Sequence, residues 1–168
     1  MRYLKLALIS VFVLFALLTA ISLLIPSTIV ISRSVTIKRN PAAILPLVNN
    51  LRNWPSWIHD HDTTPVAMKA TQAGMSPRLM IGQTMVQLIS ADSAEVKTTW
   101  RTNKGRSMDA SFYVLPREDG SSMLQWRFIQ KLRWYPWEKF SSVATEKVLG
   151  PYMEHKLNQL KLVAENAT

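Results

Sequence analysis

The chain has 168 residues, 20 basic and 11 acidic side chains, a net charge of +9 and no cysteine. Without cysteine, disulfides, thiolate metal sites and cysteine nucleophiles are excluded. The positive charge would attract an anionic membrane surface or nucleic acid, and the membrane anchor predicted below favours the membrane. The basic residues form no consecutive run, and no nucleic-acid-binding motif is present.

The first predicted element is an apolar run from Leu6 to Ile25 that contains no charged residue. A helix over these 20 residues is about 30 Å long, which matches the hydrocarbon core of a bilayer. We therefore predict a transmembrane anchor within residues 1–26 and one folded domain over residues 27–168. The side chains predicted to contact lipid include Leu6, Phe12, Phe15 and Leu24.

Two alternatives to an anchor are a cleaved signal peptide and a buried helix of a soluble protein. Signal peptides usually have a shorter apolar region, and the best cleavage candidate, Ala20-Ile21-Ser22, is followed by three more apolar residues. A buried helix would normally carry a polar stripe. Arg2 and Lys5 precede the run and favour a cytoplasmic N-terminus. The prediction is a single-pass protein of the cell membrane with its domain on the extracytoplasmic side, periplasmic in a bacterium.

The next elements are a strand and a short helix. A high content of β-branched residues predicts a strand over Ser27–Ile37, which leaves a very short linker after the apolar run. Asn40-Pro41 has the residue types of an N-cap and a first helical position, so we predict a helix over Ala42–Leu51 that Pro46 kinks or shortens. A tight turn or one short helical turn is predicted for the segment Arg52–Trp57.

Five strand-like segments separated by turn residues follow, which predicts consecutive antiparallel hairpins. The predicted strands are Val66–Thr71, Leu79–Ser90, Glu95–Arg101, Ser107–Leu115 and Met123–Leu132. In the last strand Leu124, Trp126 and Phe128 share one face with Gln130. A polar side chain in an apolar row needs a partner there, either protein or ligand.

The last element is a long helix over Pro136–Glu165, predicted from apolar residues at helical spacing. Gly150-Pro151 is expected to kink it or to divide it into two abutting helices. This order of elements indicates an α+β domain in which one antiparallel sheet buries a single apolar helix against its concave face. A sheet wrapped on a helix leaves an apolar space between the two.

Several short stretches point to a known family. They are Val35-Thr36-Ile37 leading to Asn40-Pro41, Leu51–Trp57, Trp134–Phe140, Gly150-Pro151 and Leu157–Lys161. In these stretches and in its element order the chain resembles the START-like or SRPBCC superfamily, and within it the branch of polyketide cyclase/dehydrase and lipid transport proteins. The resemblance covers roughly Thr28 to Glu165. It implies a helix-grip fold, a curved antiparallel sheet around a long C-terminal helix, here preceded by one transmembrane helix.

The resemblance also implies a deep cavity for an apolar or amphipathic ligand between the sheet and the terminal helix. The superfamily includes carriers, receptors and enzymes, so it does not imply one activity. The residues predicted to line the cavity are Trp100, Phe112, Trp126, Phe128, Gln130 and Tyr152, with ordinary core packing as the alternative for the rings. Trp54 and Trp57 are assigned to packing. For Trp134 and Trp137, contact with lipid head groups is an alternative to a place in the cavity or the core.

Metal binding and catalysis have weaker support. His59-Asp60-His61-Asp62 has the ligand types of a divalent metal site but not a complete shell, so we predict no metal and no cofactor. The sequence lacks a nucleophile elbow, a phosphate-binding glycine loop and a metal-hydrolase motif. If Met108 and Phe112 face the cavity, Asp109 between them faces water. No catalytic residue is therefore predicted.

The preferred functional prediction is a membrane-anchored binding protein for a lipid or another hydrophobic small molecule, whose burial drives binding. Gln130 or Tyr152 would hold the polar head of the ligand. Two alternatives stay open: a polyketide cyclase/aromatase-like enzyme that uses the same cavity, and a non-catalytic interaction module for a membrane protein. An interior without space larger than one water molecule would exclude the first two.

Overall fold

A computed structural model of the protein describes residues 2–59, 65–69, 77–103 and 105–167. Its first element is the helix α1 (Arg2–Leu23), which is long and apolar enough to cross a membrane. Ser22 is the buried residue of α1, and its apolar side chains do not pack into the domain. This exposure makes the buried-helix alternative wrong, because a core helix is covered by its own protein. An anchor and a signal sequence both fit the helix.

The domain begins with the strand β1 (Thr28–Ile37) and the helix α2 (Pro41–Asn49). The Asn40 side chain caps α2 by accepting a hydrogen bond from the Ala43 N–H at 3.1 Å, as its position before a proline predicts. The helix ends two residues earlier than predicted, in agreement with the shortening expected from Pro46. A 3-10 turn (Leu51–Asn53) and the short helix α3 (Pro55–Ile58) follow.

Seven antiparallel strands form one curved sheet, in the order β1-β7-β6-β5-β4-β3-β2. The six strands after β1 are β2 (Val66–Lys69), β3 (Arg78–Ile81), β4 (Thr84–Ala91), β5 (Glu95–Thr102), β6 (Ser107–Pro116) and β7 (Ser122–Lys131). Of the strand predicted over Val66–Thr71, the part Val66–Lys69 is observed as β2, and Ala70 and Thr71 lie outside the described residues.

One strand prediction is wrong: the segment Leu79–Ser90 is not a single strand but a hairpin. Ile81 pairs with Thr84, and Gly82-Gln83 form the two-residue turn between them. Gly82 has a φ of 58°, a conformation that glycine adopts without the steric cost of a Cβ atom. The apolar residues on both sides of the turn hide it in the sequence.

The helix α4 (Pro136–Asn166) lies against the sheet and contacts β1, α2 and α3. It is continuous through Pro151, so the alternative of two separate helices is wrong. Its inner face is almost completely buried and consists of Met153, Lys156, Leu157, Leu160 and Ala164. The α+β helix-grip architecture expected from the sequence is confirmed.

One end of the sheet lies next to α1, and we call it the proximal end. The start of β1 pairs there with the end of β7, and the β3–β4 and β5–β6 turns lie at the same end. Two hydrogen bonds hold the chain that leaves α1: Leu132 N–H donates to the Ser27 carbonyl at 2.8 Å, and Lys139 Nζ to the Ile25 carbonyl at 2.6 Å. The first turn of α4 is therefore also proximal.

Candidate functional site

A cluster of aromatic rings fills much of the space between the sheet and α4. The alternation of β5, β6 and β7 points their rings inward, and α2–α3 and α4 add the remaining rings. Neighbouring ring centroids are 4.9 to 6.3 Å apart. The members of this ring cluster are Trp54, Trp57, Trp100, Phe112, Trp126, Phe128 and Tyr152. Packed aromatic rings of this kind contribute strongly to the stability of a hydrophobic core.

Trp54 and Trp57 lie on the side of the ring cluster that faces α2. The indole N–H of Trp54 donates to the Val48 carbonyl at 3.0 Å, and that of Trp57 donates to the Leu47 carbonyl at 2.9 Å. Both side chains are buried with their polar atom paired. Their contacts agree with the packing role that the sequence assigns to them.

Beside the ring cluster lies a cavity of about 260 Å³, which we call the apolar cavity. Its walls come from α3, α4 and strands β3 to β7 near the proximal end, and it is lined by Ile58, Ile81, Thr84, Trp100, Thr102, Met108, Phe128, Leu149, Tyr152 and Lys156. The volume is far above the roughly 30 Å³ of one water and a little below the roughly 300–1,000 Å³ of most ligand pockets. The interior is thus not closed by its own side chains.

The structure brings three of the six predicted lining residues together at this cavity: Trp100, Phe128 and Tyr152. Phe112 and Trp126 are completely buried behind them, stacked on each other with centroids 4.9 Å apart. Their inward direction is as expected, but other rings lie between them and the cavity space. Gln130 lies further along β7 and lines a different depression, described below.

Lys156 is a lining residue that the sequence analysis missed. Its side chain is only 1% exposed, its Nζ lies 5.8 Å from the centroid of the Tyr152 ring, and it donates to Gln159 Oε1 at 3.3 Å. The signal was its spacing, because Lys156 lies three residues after Met153 and four before Leu160 on the buried face of α4. A buried ammonium group gives an otherwise apolar cavity one end that favours an anion or a strong acceptor.

A second depression, the basic groove, lies at the proximal end between the β5–β6 turn, the end of β7 and the first turn of α4. Its volume is about 390 Å³, and it is lined by Gly105, Arg106, Ser107, Gln130, Lys131, Leu132, Arg133, Glu138 and Ser141. Within the described residues, the Oε1 atom of Gln130 is buried without a hydrogen-bond partner. A ligand or a water molecule must therefore supply the hydrogen-bond donor that this buried oxygen needs.

A polar depression of about 350 Å³ lies between the apolar cavity and the basic groove. It shares Thr84 and Thr102 with the cavity and Arg106 with the groove. Gln83 and Asn103 complete it, and the Asn103 amide donates to Gln83 Oε1 at 2.8 Å. The polar depression therefore borders the apolar cavity on the side of the basic groove.

The pKa shifts resolved among the described residues lie in or beside turns at the opposite end of the sheet. The Tyr113 hydroxyl donates a hydrogen bond to Glu95 and lowers the pKa of that carboxyl. The hydrogen bond from Lys97 to Glu95, together with the charge of Glu95, raises the pKa of Lys97. Hydrogen bonds from Ser121 lower the pKa of Asp119. These shifts reflect local hydrogen bonds beside the turns.

The remaining sequence motifs do not add to the site. Of the motif His59–Asp62, only His59 falls within the described residues, and among those residues no three metal-ligating side chains cluster. Asp109 lies on the outer face of β6 and accepts a hydrogen bond from Thr99 Oγ1 at 3.0 Å. It faces water as expected.

Comparison with known proteins agrees with this architecture. Residues 28–165 match the family model described as polyketide cyclase / dehydrase and lipid transport. No curated protein sequence matches the chain.

Solved structures with the same fold come from several organisms. A START superfamily protein from Mycobacterium smegmatis has a TM-score of 0.62 at 15% identity, with 83% of this chain and 99% of that chain covered. Truncated norcoclaurine synthase from Thalictrum flavum has a TM-score of 0.59 at 12% identity, with 84% and 96% covered. A Thermobifida fusca protein has a TM-score of 0.62 at 18% identity, with 80% and 92% covered. These TM-scores establish a shared fold. At such low identities, the function has to be argued from the residues of the site.

Proposed function

Because the chain belongs to the polyketide cyclase/dehydrase and lipid transport family, we propose that it binds a lipid or another hydrophobic small molecule in the apolar cavity. The binding role is non-enzymatic, and the ligand lies between the sheet and α4. The domain, residues 27–168, is held at the membrane by an uncleaved α1 within residues 1–26. The membrane is thus its second partner, and the proposal includes no cofactor and no nucleic acid.

The observation that carries the proposal is the composition of the apolar cavity. Its walls are mostly rings and aliphatic side chains, and one buried ammonium group, on Lys156, lies beside the Tyr152 ring. Apolar ligand surface leaves water there at about 25 cal/mol per Å². The ammonium group favours a carboxylate or phosphate at one end. The volume of about 260 Å³ favours one chain or a small ring system over a large two-chain lipid.

The anchor proposal is supported by the surface of α1. Leu6, Phe12 and Phe15 are 56%, 72% and 46% exposed, and Leu24 just after the helix is 85% exposed. In water these side chains would form a large exposed apolar surface, which a bilayer covers. The basic residues Arg2 and Lys5 favour an N-terminus on the cytoplasmic side, with the domain outside.

The test is native mass spectrometry of the full chain purified in lipid nanodiscs, followed by extraction of bound small molecules. Leu149→Trp places a large ring in the cavity, and Leu162→Trp makes the same change on an exposed face of the same helix. We expect a stoichiometric ligand in the wild type and in Leu162→Trp, and its loss in Leu149→Trp. A wild-type protein that stays empty after incubation with mixed lipids would refute ligand binding and favour the interaction-module alternative.

An enzyme that uses the same cavity is the second candidate. The observation in its favour is the pair Tyr152 and Lys156, two proton-carrying side chains on the wall of an apolar cavity. Such groups serve general acid–base catalysis when a substrate lies within hydrogen-bond reach. Turnover of an extracted ligand or a polyketide-like substrate, lost in Tyr152→Phe while binding is kept, would establish this function in place of simple binding.

A further inference from the structure

The first half of α4 and the residues before it carry a connected exposed apolar surface, which we call the aromatic patch. Its residues are Trp134, Trp137, Phe140 and Val148, which are 58%, 60%, 43% and 74% exposed. The three on the helix, together with Ala144, recur at spacings of three and four and so share one face. Tyr135 joins the indoles, with centroids 4.7 Å from Trp134 and 4.8 Å from Trp137.

The aromatic patch lies next to the point where the chain leaves α1. Lys139, on the opposite side of the same helical turn, donates to the Ile25 carbonyl at 2.6 Å. Ser22 of α1 and Ser142 of α4 are both buried near this contact. The polar layer on each side of a bilayer is only about 5–8 Å deep. With α1 across the bilayer, the rings of Trp134 and Trp137, close to the Lys139 contact, are therefore at the level of the lipid head groups, where tryptophan and tyrosine are enriched.

The charges beside the aromatic patch have the sign that an anionic bilayer attracts. Arg106, Lys131 and Arg133 line the basic groove at the proximal end. Glu138 is the carboxylate of the groove, and it already accepts a hydrogen bond from the Arg133 backbone N–H at 2.9 Å. Basic side chains near anionic lipid add favourable attraction that salt screens. Aromatic and basic groups thus adjoin on one surface.

We propose that the aromatic patch and the basic groove dock onto the anionic head-group layer of the bilayer that α1 crosses. The proposal rests on the membrane anchoring given above as part of the function. Docking places the polar depression at Thr84, Thr102 and Arg106, which borders the apolar cavity, against the membrane surface. The ligand then enters from the bilayer and does not cross bulk water.

The experiment uses the absence of native cysteine, which makes a single introduced thiol the only labelling site. Ala144→Cys lies on the face of the patch and leaves its rings intact, and Leu162→Cys is an exposed control on the same helix. The full-length variants carry an environment-sensitive fluorophore and are reconstituted in vesicles of phosphatidylcholine with phosphatidylglycerol. Brominated lipid quenches probes in the bilayer, and iodide quenches probes in water.

We expect brominated lipid to quench the label at residue 144 several-fold more than the label at residue 162, with the reverse order for iodide. Adding Arg106→Gln, Lys131→Gln and Arg133→Gln should reduce quenching at 144, whereas Arg117→Gln at the far end should not. Equal iodide quenching at both sites would overturn the docking proposal, as would unchanged lipid quenching after loss of the three charges.

Failure of docking and failure of anchoring are distinguished in the same vesicles. Alkaline carbonate extraction and the intact mass show whether the uncleaved chain stays in the membrane. A chain released by carbonate refutes the anchor and with it the docking. A chain that the membrane retains, with the label at residue 144 fully accessible to iodide, refutes the docking alone. Ligand binding is then tested separately, by the small molecule recovered from the full chain in nanodiscs.

Discussion

Among single residues, we expect Lys156 to have the largest effect on which ligand the proposed site binds. It is the one lysine on the buried face of α4 that also lines the apolar cavity, as far as the described residues extend. A negatively charged or strongly accepting ligand atom would add a charge-assisted hydrogen bond to the contacts that Lys156 makes with Gln159 and Tyr152. The selectivity of the apolar cavity for its ligand, and not only its affinity, should therefore depend on the Lys156 side chain.

We expect Lys156→Met to weaken binding of a fatty-acid probe by about 10-fold or more, since a hydrogen bond to a charged group contributes about 1.5–3 kcal/mol. Binding of the corresponding methyl ester should change little. Displacement of a fluorescent probe measures both, with Lys161→Met as the control on the same helix. Equal losses for acid and ester would mean that the variant damages the cavity and that the charge does not select the ligand.

Tyr113 and Glu95 give a prediction about pH. The hydroxyl of Tyr113 donates to Glu95 Oε1 at 2.7 Å, and this bond lowers the pKa of the carboxyl below 4.5 in the folded state. A lowered pKa contributes stability above the unfolded-state value and loses it as pH falls through the folded-state value. Tyr113→Phe should therefore lower the urea midpoint at pH 7 more than at pH 3. Parallel losses at both pH values would contradict this assignment.

At the scale of elements, α4 contains a proline that a helix interior normally excludes. Pro151 has no N–H to donate to the Lys147 carbonyl, and it is exposed, so packing does not require its ring. The neighbouring Gly150 leaves room for the Arg33 side chain to lie against α4, because a Cβ atom on residue 150 would lie 2.5 Å from Arg33 Nη2. The Arg33 Nε donates to Glu154 Oε1 at 2.7 Å, which ties β1 to α4 beyond the proline.

Pro151→Ala should raise the free energy of unfolding by about 1–3 kcal/mol, because proline is about 3 kcal/mol less favourable than alanine inside a helix. Chemical denaturation followed by the near-ultraviolet signal of the ring cluster measures the change. Leu162→Ala, an exposed position on the same helix, should leave stability almost unchanged. A destabilised Pro151→Ala variant would contradict this prediction.

The sequence predicted most elements and fewer of the site residues, for physical reasons. Strand alternation in β7 and helical spacing in α4 are local patterns, so both elements were predicted within one or two residues. The β3–β4 turn was missed because its single marker, Gly82, lies in an apolar stretch. Alternation places Trp126 and Phe128 on the same face, but only tertiary packing decides that Phe128 lines the cavity and Trp126 is covered.

For the whole molecule, binding in the cavity is linked to the stability of the fold, because the walls come from α3, α4 and most of the sheet. At a ligand concentration 100 times Kd the folded state gains about 2.7 kcal/mol, which is about 8–12 °C in Tm for a domain of this size. The ligand extracted from the wild type should produce this shift, measured by calorimetry. Leu149→Trp should show no shift, and a similar shift in that variant would place the ligand outside the apolar cavity.

The connection between α1 and β1 limits how such a protein can work. Leu24 to Ser27 separate the two elements, a reach of about 14 Å when fully extended. Hydrogen bonds at Ile25 and Ser27 hold even this short segment against the domain. With α1 anchored in the bilayer as proposed, a domain tethered in this way would not carry ligand between two membranes. It would exchange ligand only with its own bilayer, and any acceptor protein would have to come to that bilayer.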